Sequence, residues 1–200
     1  MSNVQTSSDK YRRIYDRLYR LGYHRNTEKS HAKILAERAS VQWNPSSVLD
    51  VGCSHGWVLG YFADRGTRAV GIDVSEIAVA KARDLGRDAR QACATALPFP
   101  DVSFDVVLST DCLEHLSLTD ARLAVREMCR VARIGIAVKV NPRLDRDRLW
   151  KWIAGTPLHL TIQPVDTWLT WFNEEGWSIL AQDVPREEYL LSRTAPLPPA

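Results

Sequence analysis

Apolar residues along this chain fall into two alternating spacings, one of three to four residues and one of short continuous runs. From Asp9 to Leu21, Tyr11, Ile14, Tyr15 and Leu18 recur at helical intervals, which predicts a helix capped by Asp9 and stopped by Gly22. A second helix is predicted from about Thr27 to Ala39, and Asn44-Pro45 closes this preface. Beyond it, β-favouring runs near 47–51, 68–72, 88–93, 104–109 and 134–140 alternate with helical patterns at about 56–65, 75–85 and 119–132. Gly66 and Gly86 stop the first two of those helices. Strands that alternate with helices predict an α/β fold built on a mostly parallel sheet. After Asn141-Pro142 the alternation gives way to a Trp-rich stretch, and a helix follows over about 164–175, ending at Gly176. Val165, Trp168, Leu169 and Phe172 are its core face. Trp177 to Val184 and Glu187 to Ser192 are expected to form a closing antiparallel pair, and the tail from Thr194, with three prolines, is expected to be unfolded.

The 200 residues, 45% of them apolar, suit a single domain with a full core. Its parts are a helical preface (1–45), a core (46–140), a lid-like insertion (141–163) and a flexible tail (194–200). A net charge of +2 argues for neither a nucleic-acid binder nor a membrane-surface protein. Arg12, Arg13, Arg17, Arg20 and Arg25 interleave with tyrosines in the preface, and they read as a solvated helix face. The polar start, Met1 to Lys10, lacks the apolar segment of a signal peptide, and no apolar run reaches membrane-spanning length. A cytoplasmic location without membrane contact is therefore expected. Cys53, Cys93, Cys112 and Cys129 have no paired short spacing, as reduced thiols do.

Candidate chemistry concentrates between Val48 and Phe62, which reads as strand, tight turn and helix. Gly52 and Gly56 let main chain approach a ligand closely, the new helix aims unpaired N–H groups across the turn, and Asp50 sets a carboxylate at the strand's carboxyl end. Asp73 closes the next strand 21 residues after Gly52, the separation at which a βαβ unit brings an acid to ribose hydroxyls.

Three ordered stretches, Val48 to Gly56, Gly71 to Ser75 and Leu97 to Leu116, resemble the class I S-adenosylmethionine-dependent methyltransferases of the type 11 kind. The resemblance spans about residues 46–140. It implies a doubly wound, Rossmann-like seven-stranded sheet with the last strand antiparallel, here preceded by N-terminal helices, and S-adenosylmethionine as cofactor. Carried over by position, Asp50, Gly52, Cys53, Ser54 and Gly56 would meet the methionine end. Asp73 and Val74 would meet the ribose, Cys93, Ala94 and Thr95 the adenine with Leu97 over its face, and Asp111 the methyl end. Ser54 stands where the family usually has Gly, and Cys93 where it often has an acid.

Asp111, Glu114 and His115 follow the fourth strand at i, i+3 and i+4, so a helical conformation would place them on one face. His115 is a candidate general base with Glu114 beside it, since imidazole titrates near neutrality. Alternatively Asp111, Glu114, His115 and His159 form a metal site, a pattern similar to the small-RNA 3′-terminal 2′-O-methyltransferases. The expected acceptor is a small molecule, held by the N-terminal helices and the 141–163 insertion, with nucleic acid less favoured. Two rivals remain outside these readings. Gly52 to Gly56 also fits a hydrolase elbow, with Ser54 as nucleophile, Asp111 or Asp145 as acid and His159 as base. A non-catalytic adenosylmethionine-binding module is the other. A nicotinamide oxidoreductase lacks its third glycine, because position 57 is Trp.

Overall fold

The computed structural model of the chain describes residues 3–23, 31–144 and 148–194. The predicted start of the second helix, Arg25, Asp145 and residues 195–200 of the tail lie outside the described residues. The helices are α1 (Asn3–Arg20), α2 (His31–Trp43), α3 (Trp57–Ala63), α4 (Glu76–Asp84), α5 (Leu118–Val131), α6 (Arg148–Ala154) and α7 (Val165–Glu174). The strands are β1 (Ser47–Val51), β2 (Arg68–Asp73), β3 (Asp88–Gln91), β4 (Phe104–Thr110), β5 (Ala132–Lys139), β6 (Trp177–Asp183) and β7 (Glu188–Arg193). They form one seven-stranded sheet in the order β3-β2-β1-β4-β5-β7-β6. Strands β1 to β5 pair in parallel, while β7 runs antiparallel between β5 and β6. This is the doubly wound arrangement expected from the sequence, its last strand reversed.

Both faces of the sheet are covered, so its strands are apolar on both sides. Leu49, Val51, Val107, Ile136, Val138 and Leu191 point into a core shared with α5 and α7. Their neighbours Val48, Val106, Leu108, Ala137 and Leu190 point the other way, against Leu35, Ala36 and Ala39 of α2 and Val58 and Phe62 of α3. Trp168 and Phe172 are buried in the first core, with Val165 and Leu169 packed beside them, as the helical spacing required. The Trp-rich stretch, for which no helix was predicted, contains the two-turn α6, whose Ile153 packs with Leu158 on Leu18 of α1.

Helix α1 crosses the carboxyl edge of the sheet. Midway along it the Tyr11 hydroxyl donates to Asp120 Oδ2 (2.7 Å) and accepts from Ser117 N (2.8 Å), at the start of α5. At the next turn Asp16 Oδ1 accepts from Ser75 Oγ (2.7 Å), the N-cap of α4. No helix among the described residues is long and apolar enough to cross a membrane.

Candidate active site

A cavity of about 410 Å³ opens between the carboxyl ends of β1, β2 and β4 and the underside of α1. Its floor is the turn after β1, where Gly52 (φ 83°) and Gly56 (φ 76°) are left-handed. A Cβ on Gly52 would stand 2.5 Å from Cys112 Sγ, so both the conformation and the close approach demand glycine. Ser54 is also left-handed (φ 50°), which accounts for the glycine usual in the resembling family; a side chain there costs about 1 kcal/mol. The turn holds its shape through Asp73, whose Oδ2 accepts from Ser54 N (3.0 Å) and whose Oδ1 accepts from Ser75 N (2.8 Å). Gly52 N and Cys53 N donate to the Ile72 carbonyl at 2.8 and 2.9 Å. Each Asp73 oxygen retains a second lone pair for a ligand hydroxyl.

Burial pushes the Asp50 carboxyl up to about 7, helped by the charge of Asp73, and burial pushes Asp73 itself up to about 6. Neither acid has an ion pair among the described residues. Two buried, unpaired acids at the edge of an apolar cavity suit a ligand that brings hydroxyl donors and positive charge. S-adenosylmethionine carries a ribose diol, an ammonium and a sulfonium, so the residues present fit it.

Of the expected cofactor residues, Asp50, Gly52, Cys53, Ser54, Asp73, Val74, Cys93, Ala94 and Asp111 line the cavity. Three do not. Gly56 packs against Ala82 and Arg87 at the start of α3, Thr95 donates from Oγ1 to Cys93 Sγ (3.2 Å), and the buried Leu97 donates its N–H to Glu127 Oε2 (2.7 Å).

At the end of β4 the expected helical face does not form. Asp111 is left-handed (φ 49°) and only a 3-10 turn follows, Leu113–His115, so Asp111, Glu114 and His115 diverge. Asp111 turns to the Lys139 ammonium. Glu114 is fully buried and absent from the cavity wall, which corrects its placement as a catalytic partner. Its Oε1 accepts from Asn141 N (3.1 Å), and its carbonyl accepts from Leu160 N (2.8 Å) and Thr161 N (3.0 Å), fastening the 141–163 segment to the sheet. Burial, with the nearby charge of Asp111, pushes its carboxyl up to about 8.

His115 does line the cavity. Its Nδ1 lies 3.1 Å from the Leu158 carbonyl, which can only accept, so Nδ1 carries the proton and the basic lone pair sits on Nε2. The His159 ring stands perpendicular to it at 4.9 Å and is tied through Nδ1 to the Arg143 carbonyl (2.7 Å). Ligand atoms of Glu114, His115 and His159 lie within 4.8 Å of one another. Asp111, engaged with Lys139, is not in that group, so three of the four candidate metal ligands converge. The hydrolase triad does not assemble, because His159 is off the wall that Ser54 lines.

The roof supplies residues that motif reading missed. Tyr11, Tyr15, Tyr19 and Tyr23 all line the cavity. Their four-residue spacing was the available signal, hidden because a tyrosine stripe reads equally well as core. Burial holds the Tyr15 and Tyr19 phenols well above their ordinary range, so they stay neutral. The expectation that both N-terminal helices and the insertion wall the acceptor is corrected in part. Among the described residues α2 contributes only Ala32, and 141–163 contributes none; α6 packs behind α1, with Trp150 against Tyr23 (5.2 Å).

Sheet order, glycine turn and buried acids are those of a class I S-adenosylmethionine-dependent methyltransferase domain. Residues 49–137 match the family described as "Methyltransferase domain". Ajmaline N-methyltransferase of Rauvolfia serpentina is 31% identical over 163 residues, which are 77% of this chain and 52% of that protein. This chain thus spans about half the length of that curated relative, and 40% of a probable S-adenosylmethionine-dependent methyltransferase of Mycolicibacterium smegmatis that is 34% identical over 105 residues, 52% of this chain. Among solved structures, the Burkholderia thailandensis 1,6-didemethyltoxoflavin-N1-methyltransferase superposes with a TM-score of 0.71 at 17% identity, covering 98% of this chain and 92% of that one. That likeness concerns the fold.

Proposed function

We propose that the protein is an S-adenosylmethionine-dependent methyltransferase that moves a methyl group to an oxygen or nitrogen atom of a small molecule. The observation that carries this reading is the pairing of Asp50 and Asp73, buried and unneutralised, on the floor of a cavity whose far wall holds a tautomer-fixed His115. Bound S-adenosylmethionine supplies an already activated methyl group, so the protein's task is placement more than activation. Asp73 accepts the ribose hydroxyls and Asp50 faces the ammonium end. Tyr15 and Tyr19 keep water from the reacting centre, and His115 takes the acceptor's proton on Nε2. Calorimetry with adenosylhomocysteine tests the cofactor site, and transfer of labelled methyl to a metabolite mixture tests the reaction. Binding without any labelled product would leave the binding-module reading standing.

A second reading, metal-dependent RNA 2′-O-methylation, is favoured by the convergence of Glu114, His115 and His159. Against it, no lysine or arginine lies among the described residues of the cavity wall to meet a phosphate. Loss of transfer in EDTA, restored by a divalent ion, would favour this alternative.

A further inference from the structure

The chemistry of the cavity wall narrows the acceptor further, resting on the methyltransferase reading above. Above the turn after β1 and the end of β4, the wall is made of rings. Tyr15 and Tyr23 lie tilted to each other at 6.4 Å between centroids, and Tyr15 meets the His115 ring edge-on at 5.8 Å. Trp150 backs Tyr23, and Tyr19 extends the aromatic surface toward His55 at 5.3 Å. Every charged side chain among the described residues of the wall is a carboxylate, namely Asp50, Asp73 and Asp111. An aromatic surface offers its electron-rich faces to cations, and enclosure by low-dielectric walls strengthens that attraction. Asp111 is already paired with Lys139, and Asp50 and Asp73 are assigned to the cofactor, so an anion placed there would lose its water and find no lysine or arginine among the described residues of the wall to meet it.

We propose that the acceptor is an organic cation, a protonated amine on an apolar or aromatic frame, seated among Tyr15, Tyr19, Tyr23 and His115. The same wall disfavours acids, phosphate esters and nucleotides. The amine reaches the site charged, and His115, a residue of the wall, takes its proton and bares the lone pair.

Three probes of similar shape and different charge test this: benzyltrimethylammonium, neutral neopentylbenzene and anionic benzenesulfonate. Each is titrated by calorimetry into full-length protein saturated with adenosylhomocysteine. The ammonium is expected to bind at least about tenfold more tightly than the neutral probe, with no detectable binding of the sulfonate. Tyr15→Leu is expected to weaken the ammonium probe about fivefold or more, while Tyr15→Phe, which keeps the ring and the packing, retains it. Equal binding of charged and neutral probes, measurable binding of the sulfonate, or Tyr15→Leu behaving as wild type would each overturn the proposal. Failure of adenosylhomocysteine itself to bind, read in the preceding titration, overturns the methyltransferase reading and this proposal together. Normal adenosylhomocysteine binding with probes that ignore charge overturns the proposal alone.

Discussion

The floor and the roof of the cavity are built in different ways. The floor is more local: Asp50, the glycine turn and Asp73 lie within one βαβ unit, and the hydrogen bonds from the turn to Asp73 and Ile72 join residues about twenty positions apart, such as Ser54 N to Asp73 Oδ2. The roof is remote: Tyr11 reaches Asp120 and Ser117 across 109 and 106 positions, and Asp16 reaches Ser75 across 59. A floor closed over a short loop pays little chain entropy for its shape and tolerates little change, as the 2.5 Å approach at Gly52 illustrates. The roof depends on tertiary packing of a tyrosine stripe on elements far away in the chain. On the proposed reading, cofactor chemistry is lodged in the floor and acceptor choice in the roof.

Perturbing the floor should have the larger effects. Asp73→Ala removes the acceptor for the ribose hydroxyls and also frees the Ser54 and Ser75 amides. Charge-assisted hydrogen bonds are worth about 1.5–3 kcal/mol each, so adenosylhomocysteine affinity should fall by about a hundredfold or more in calorimetry. Retention of wild-type affinity would show that the floor is not the cofactor site.

The next effect is in pH. Asp50 and Asp73 titrate near about 7 and 6 in the unliganded protein, above the ordinary 3.8. Between 3.8 and those values the native state holds protons that the unfolded chain has released, so these two groups stabilise the apo protein at low pH and that stabilisation is lost as pH rises through about 6 and 7. Adenosylhomocysteine requires the ionised acids, so its affinity should rise over the same window and level off above it. Opposite pH slopes for apo stability and ligand affinity are the expected signature, measured by denaturant titration and calorimetry. Parallel slopes would break the electrostatic contrast between floor and roof.

The smallest expected effect belongs to the roof. Tyr11→Phe leaves Asp120 Oδ2 its bond from Ser117 Oγ (2.9 Å) but strips the partner from Ser117 N. A loss of about 1 kcal/mol in unfolding free energy is expected, with adenosylhomocysteine affinity changed less than twofold. A larger fall in affinity would mean that roof and floor act as one unit.

Much of the floor is legible in the sequence, since alternating apolar runs, glycine placement and the Gly52-to-Asp73 interval are local features with local causes. The reading of Asp111, Glu114 and His115 as one helical face failed because the left-handed Asp111 and its pairing with Lys139, a residue on the adjacent strand, override helical spacing. Glu114 looked catalytic by its neighbourhood in the chain, yet the amides of Asn141, Leu160 and Thr161 claim it as an anchor. The tyrosine stripe was visible as a periodicity, but periodicity alone does not say whether a buried face packs on solid core or on a cavity.

The amino-acid sequence by itself determined the doubly wound sheet and the residues of the cofactor turn, because backbone preference and side-chain alternation act between near neighbours. Tertiary structure alone decided which side chains roof the cavity, that Glu114 withdraws behind the wall, and that His115 meets His159. Those outcomes depend on contacts between elements far apart in the chain, and only the packed fold brings them together.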